Sequence, residues 1–168
     1  MFKIGAEKSW LVSKVSLDFT IEDPLTPDVK ALLQTHLEFC HEVTPLKHSF
    51  ALDVEKLRSP EITVFTARED GALLGVGALK VFEPGHGELK SMHTSKASRG
   101  KGVGSAMVLH ILEYAKRSGL DRVSLETGSH PPYEPARKLY EKCGFTYCEA
   151  FGDYELSDFN VCMTKSLD

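Results

Sequence analysis

The sequence predicts one mixed α/β domain, a mostly antiparallel sheet of seven strands that contains a single parallel crossover. Three observations carry this prediction. The hydrophobic period switches repeatedly between two and 3.6 residues, a strand, helix, strand unit stands in the middle of the chain, and 168 residues with 42% hydrophobic content suit one core.

The elements follow in order. Residues 15 to 21, "VSLDFTI", put Val15, Leu17, Phe19 and Ile21 on one side, the pattern of a half-buried strand. After Pro24 and Pro27 the spacing becomes helical through Val29, Leu32, Leu33, His36, Leu37 and Cys40, with Asp28 in the first turn where a negative charge suits the dipole. This predicts a helix over 27–42, and "HSFALDVEKLRS" predicts a second, short helix reached through Pro45. Three strands come next, divided by Asp70-Gly71 and by the turn from Pro84 to Gly87.

From Gly102 the period is helical again, along Val103, Met107, Val108, Ile111, Leu112 and Ala115, and Gly119 supplies the cap. A strand, "RVSLETGS", follows at once. A helix over 135–143 ends at Gly144, and two strands near 145–151 and 159–165 complete the chain, giving about four helices in all. No repeat or linker divides residues 1–168, so a single domain is expected.

Composition narrows the partners. A net charge of -4 and a pI near 6.0 give no basic surplus for general nucleic-acid binding. The N-terminal "MFKIGAEKSWLVSKVSLDF" lacks the apolar run of a signal peptide, and no later run approaches a membrane span, so the expected compartment is the cytoplasm and neither membrane nor nucleic acid is an expected partner. Cys40, Cys143, Cys148 and Cys162 form no C-x-x-C pair and read as reduced thiols, with no metal site.

The densest signal is "SRGKGVGS", three alternate glycines running straight into a helix. A helix start has unpaired N–H groups and a partial positive charge, and glycines leave the approach open. A pyrophosphate could rest on the amides of Lys101, Gly102, Val103, Gly104 and Ser105, beside Arg99, Gly100 and the Lys101 charge. The alternative is a tight turn that simply needs glycine conformations. Neither a P-loop nor a dinucleotide fingerprint fits, because the pattern is G-x-G-x-G, late in the chain.

"RGKGVG" resembles the Arg/Gln-x-x-Gly-x-Gly/Ala signature of the GNAT acetyltransferase superfamily, and "ARKLYEKCGF" resembles its second hallmark. The two are separated by one helix and one strand, as in that family, and the resemblance extends over about residues 15–165. It is closest to a bacterial subgroup with "ELKSMHT", "LETGS" and "FGDY". It implies a sheet splayed between two parallel strands, acetyl-CoA in the opening, an amine acceptor entering from the other side, and direct transfer with the oxyanion held by a backbone amide. A homodimer is compatible with it.

The resemblance also implies residue roles. The main chain of Met92, His93 and Thr94 would lie beside the acetyl group and pantetheine arm, and Tyr140 would protonate the leaving thiolate, unless it is only a core aromatic. For the general base, Glu88 shares strand parity with Met92 and would face the same side; Glu126, His93 and His130 are the other candidates. Tyr133 stands where many members carry a pantetheine-contacting asparagine. The acceptor site would draw on the first two helices and late strands, including His36, Glu38, His48, Phe151 and Tyr154. A non-catalytic acyl-CoA-binding regulator is the rival reading.

Overall fold

The computed structural model describes residues 16–168. The first half comprises strand β1 (Asp18–Ile21), helix α1 (Pro27–Val43) and strands β2 (Ile62–Glu69), β3 (Ala72–Glu83) and β4 (His86–Thr94). Helix α2 (Val103–Arg117), strand β5 (Arg122–Gly128), helix α3 (Glu134–Lys142) and strands β6 (Thr146–Cys148) and β7 (Asn160–Ser166) complete it. The seven strands form one sheet in the order β1-β2-β3-β4-β5-β7-β6. Every neighbouring pair is antiparallel except β4 and β5, as the crossover through α2 requires.

Helices cover both faces. On one face α2 and α3 bury Met107, Ile111 and Tyr140 against Phe65, Leu89 and Leu125 of the sheet. On the other, α1 places Val29 and Leu33 over Val64, Val76 and Ala78. Arg68 of β2 fixes the start of α1, donating to Glu22 and to both oxygens of Asp28 at 2.7 and 3.0 Å.

Three expectations need correction. The predicted first strand is shorter: Val15 lies outside the described residues and pairing starts at Asp18. The segment after Pro45 is not a second α-helix but two 3₁₀ turns, Leu46–His48 and Val54–Arg58, so among the described residues there are three α-helices rather than about four. The reason is local. Val54 and Leu57, the buried pair of the second turn, are three residues apart, and side chains at that spacing eclipse in a 3₁₀ turn and meet the core together. Finally, the strand expected near 145–151 pairs only over Thr146–Cys148, and the chain after it loops back across the α1 face.

Two irregularities shape the sheet's centre. The parallel ladder between β4 and β5 has only three partners, from His86 opposite Arg122 to Glu88 opposite Ser124. Beyond Glu88 the strands separate, β4 staying paired to β3 and β5 to β7. His86 Nε2 lies 2.6 Å from Ser124 Oγ, which in turn meets Thr164 Oγ1 at 2.8 Å, so side chains tie the closed end of the fork.

The second irregularity is a bulge in β4. Val76 pairs with His93 but Ala78 pairs with Lys90, so Gly77 alone faces both Ser91 and Met92, and Ser91 takes a left-handed φ of 53°. One extra residue reverses the side-chain alternation. Met92 therefore packs on the α2 face, while Glu88, Lys90 and His93 turn toward α1, against the expectation that Glu88 and Met92 face the same side.

Candidate active site

The fork between β4 and β5 opens a cavity of about 700 Å³ that reaches both faces of the sheet. Its two halves are built differently. The α2 half is made largely of main chain. Gly100 and Gly102 adopt left-handed φ values of 76° and 79°, and a Cβ at either would meet nothing within 4 Å, so the space beside them is open. Gly102 caps α2 without any side-chain cap, and the first helical bond runs from Ala106 N–H to the Gly102 carbonyl at 3.1 Å. The amides of Val103, Gly104 and Ser105 thus precede the helical ladder at its positive end, and these residues line the cavity.

Gly104 has a further reason to be glycine. A Cβ there would come within 2.7 Å of Leu139 Cδ1, so it also allows α2 to approach α3. Met92, Thr94, Arg99 and Gly100 line the same half, and Lys101, one of the expected anion-binding residues, does not. Tyr140 enters from α3. It is 8% exposed, lines the cavity, and burial raises the pKa of its phenol, with no described hydrogen-bond partner contributing.

The α1 half is made of side chains from distant segments. His36, Phe39 and Cys40 come from α1, Phe50 from the segment after it, Glu126 from β5, and Phe159 from the residue preceding β7. Glu126 Oε2 accepts from Asn160 Nδ2 at 3.1 Å; burial pushes its carboxyl pKa up, while Asn160 and the Lys90 charge pull the other way. Rings form the walls, with Phe39 edge-on to Tyr133 at 5.4 Å and His48 stacked on Phe159 at 4.4 Å.

The predicted base candidates separate. Glu88 is 4% exposed at the vertex of the fork and does not line the cavity. Its carboxylate accepts from Lys90 Nζ at 2.9 Å and from the Tyr154 hydroxyl at 2.9 Å, closing a buried triad in which Lys90 also reaches Tyr154 at 2.7 Å. Burial, followed by the Glu88 charge, raises the pKa of that phenol. Glu126 and His93 line the cavity. His130 does not; its ring tilts against Phe159 at 5.1 Å, with Nε2 buried and without a hydrogen-bond partner among the described residues.

Of the expected acceptor-side residues, His36 and His48 line the cavity, Glu38 is exposed on α1, and Phe151 and Tyr154 form a neighbouring aromatic group that touches Phe50. Tyr133 does line it, its hydroxyl 3.0 Å from Thr44 Oγ1. Sequence reasoning missed Phe39, Cys40, Phe50, Lys90 and Phe159. Only Phe39 and Cys40 left a signal, since they stand three and four residues after His36 on one helical face.

Comparison with known proteins agrees with this geometry. The chain is 47% identical over 147 residues to the uncharacterized N-acetyltransferase YsnE of Bacillus subtilis (strain 168), covering 88% of this chain and 97% of that protein. A Klebsiella pneumoniae structure described provisionally as an acyl-CoA N-acyltransferase superposes with a TM-score of 0.75 at 24% identity, over 92% of this chain and 99% of that one. A Bacillus subtilis acetyltransferase solved in complex with CoA gives a TM-score of 0.68 at 21% identity, over 90% and 99%. The profile of the acetyltransferase (GNAT) family matches residues 28–145, which include the whole forked centre of the sheet and both motif helices, and with the fold and the cavity in agreement the chain belongs to the GNAT acetyltransferase family.

Proposed function

We propose that the protein transfers an acetyl group from acetyl-CoA to a primary amine by direct attack, with the donor entering from the α2 half of the cavity and the amine from the α1 half. The observation that carries this reading is the open fork, which joins the glycine-lined start of α2 to a half-buried carboxylate, Glu126, through one continuous cavity. Acetyl-CoA supplies the acyl group as an activated thioester. The chain's own groups do the rest.

The amides of Val103 to Ser105 hold the pyrophosphate, and Arg99 adds a charge-assisted contact. The main chain of Met92 to Thr94, displaced by the bulge at Ser91, lies along the acyl arm and offers an N–H to the developing oxyanion. Glu126 takes the proton from the incoming ammonium, directly or through one water. Its raised pKa brings it closer to neutrality and makes it a better proton acceptor than an ordinary exposed carboxylate. Tyr140, kept protonated by burial, gives its proton to the leaving thiolate. Glu88 serves in this reading by holding Lys90 and Tyr154 at the vertex.

The test is acetyl-CoA-dependent thiol release across a panel of primary amines. Release that saturates with one class of amine is expected; saturable binding of acetyl-CoA with no release on any amine overturns the reading in favour of an acyl-CoA-binding regulator.

A further inference from the structure

The α1 half contains a row of side chains whose protons can be ordered in only a few ways. Cys40 Sγ lies 3.6 Å from Nε2 of His36, one turn earlier on α1. Between α1 and β4, His36 Nδ1 lies 3.3 Å from His93 Nδ1, with the rings edge-on and their centroids 5.2 Å apart. Two facing ring nitrogens share a single proton, so one imidazole carries its hydrogen on Nδ1 and the other on Nε2. The surroundings keep both rings neutral. Burial, with the His93 and Lys90 charges second, lowers the pKa of His36 to about 3, and burial with the Arg99 charge lowers that of His93 to about 4.

The sulfur chooses between the two orders. Cys40 is a buried thiol whose pKa burial raises; a hydrogen bond from the Tyr133 hydroxyl to the sulfur opposes this and the nearby Glu126 charge adds to it, so the thiol keeps its proton. A neutral thiol has one S–H to donate, and an imidazole nitrogen accepts it better than sulfur accepts an N–H. With Sγ–H donating to His36 Nε2, His36 carries its proton on Nδ1 and donates it to His93 Nδ1. His93 is then left with its proton on Nε2.

We propose that the row from Cys40 through His36 fixes His93 as an N–H donor to the cavity it lines, so that the site selects amines bearing a hydrogen-bond-accepting oxygen close to the reacting nitrogen. The amine half of this statement rests on the acetyl-transfer reading; the proton order of the row does not. The oxygen belongs to a hydroxyl, an amide carbonyl or a carboxylate, all of which accept the same N–H. In this tautomer His93 has no free ring lone pair and is removed from the base candidates, which leaves Glu126 alone among the carboxylates and imidazoles weighed for that role that face the cavity. His36 and Cys40 are positioning residues, acting through His93.

Imidazole nitrogen NMR on the intact protein tests the row without any turnover. Between about pH 6 and 8, His93 should appear as one neutral tautomer protonated on Nε2 and His36 as one protonated on Nδ1, neither titrating. Cys40→Ala should mix the two tautomers of each ring, and Cys40→Ser, which restores a short donor, should return them toward single forms. A wild-type His93 protonated on Nδ1, or one that titrates in this range, overturns the proposal.

Substrate choice is read separately, as ratios of kcat/KM between matched amines of one aromatic body, suited to the ring-lined walls: 2-phenylethylamine against 2-amino-1-phenylethanol, phenylalaninamide and phenylalanine. One oxygenated partner should be favoured about threefold to tenfold, the size of one neutral hydrogen bond. The ratio should fall toward unity in Cys40→Ala and His93→Phe. No preference in the wild type, or an unchanged ratio in both variants, overturns the selectivity. Should no amine react, it is the acetyl-transfer reading that has failed, and the tautomers alone decide the row.

Discussion

The two halves of the cavity are built in opposite ways. The α2 half is built from consecutive residues whose main chain does the work: two left-handed glycines, a helix start and a strand bulge. The α1 half is built from side chains of separate segments, each held by a specific partner, such as Glu126 by Asn160, Tyr133 by Thr44, and Lys90 by Glu88 and Tyr154. A main-chain site tolerates change outside its glycines and fails abruptly within them. A side-chain site can be retuned one residue at a time. On the proposed reading this is the division a transferase needs, a fixed grip on a common donor and an adjustable one on the acceptor.

The largest effect is expected at Gly102. Glutamate there would strain a φ of 79° and set a carboxylate in the open space of the cradle, so Gly102→Glu should abolish the thermal stabilisation by acetyl-CoA. A folded variant that keeps the wild-type shift would show that the glycines serve the turn alone. Next in size is Glu126→Gln, expected to lower kcat/KM about 100-fold while acetyl-CoA binding persists. In the wild type the rate should rise as pH passes upward through the Glu126 pKa, at a point above the ordinary carboxylate range because burial disfavours the charge. That limb should vanish from the pH profile of the variant; its survival would return the base to water.

Glu88→Gln sharpens the same contrast from outside the cavity. It strips the buried Lys90 ammonium of its anion, so the expected loss is in stability, about 3 kcal/mol by chemical denaturation, with the pH–rate profile of the folded protein keeping its shape. Loss of the limb with stability intact would make Glu88 the base after all. Tyr140→Phe keeps the ring packed and removes one proton donor, so kcat should drop roughly tenfold; unchanged turnover with chemistry limiting would leave it a core aromatic. The smallest effect is expected of Arg99→Ala, which should weaken acetyl-CoA about fivefold, the size of one exposed charge-assisted contact, measured by calorimetry.

Features that depend on neighbours along the chain are the ones that can be read from the sequence. Helix α1 was legible because Pro27, Asp28 and the apolar spacing act within a few turns, and the β2–β3 hairpin because Asp70 and Gly71 take the left-handed conformations that a tight turn requires. The glycine turn into α2 was legible for the same reason, its glycines being alternate residues. Tertiary structure alone decided which side chains meet across the fork. One bulged residue at Ser91 reversed the facing of β4, sending Met92 to one side of the sheet and His93 to the other, and strand parity read from sequence could not anticipate it. Likewise His36 and His93 are 57 positions apart, a separation closed by the packing of α1 onto the sheet, and Glu126 and Asn160 are 34 apart, brought together by the antiparallel pairing of β5 with β7. Local signals report the dihedral preferences of a few residues; the α1 half depends on contacts between segments far apart in the chain, which exist only once the sheet and α1 have packed.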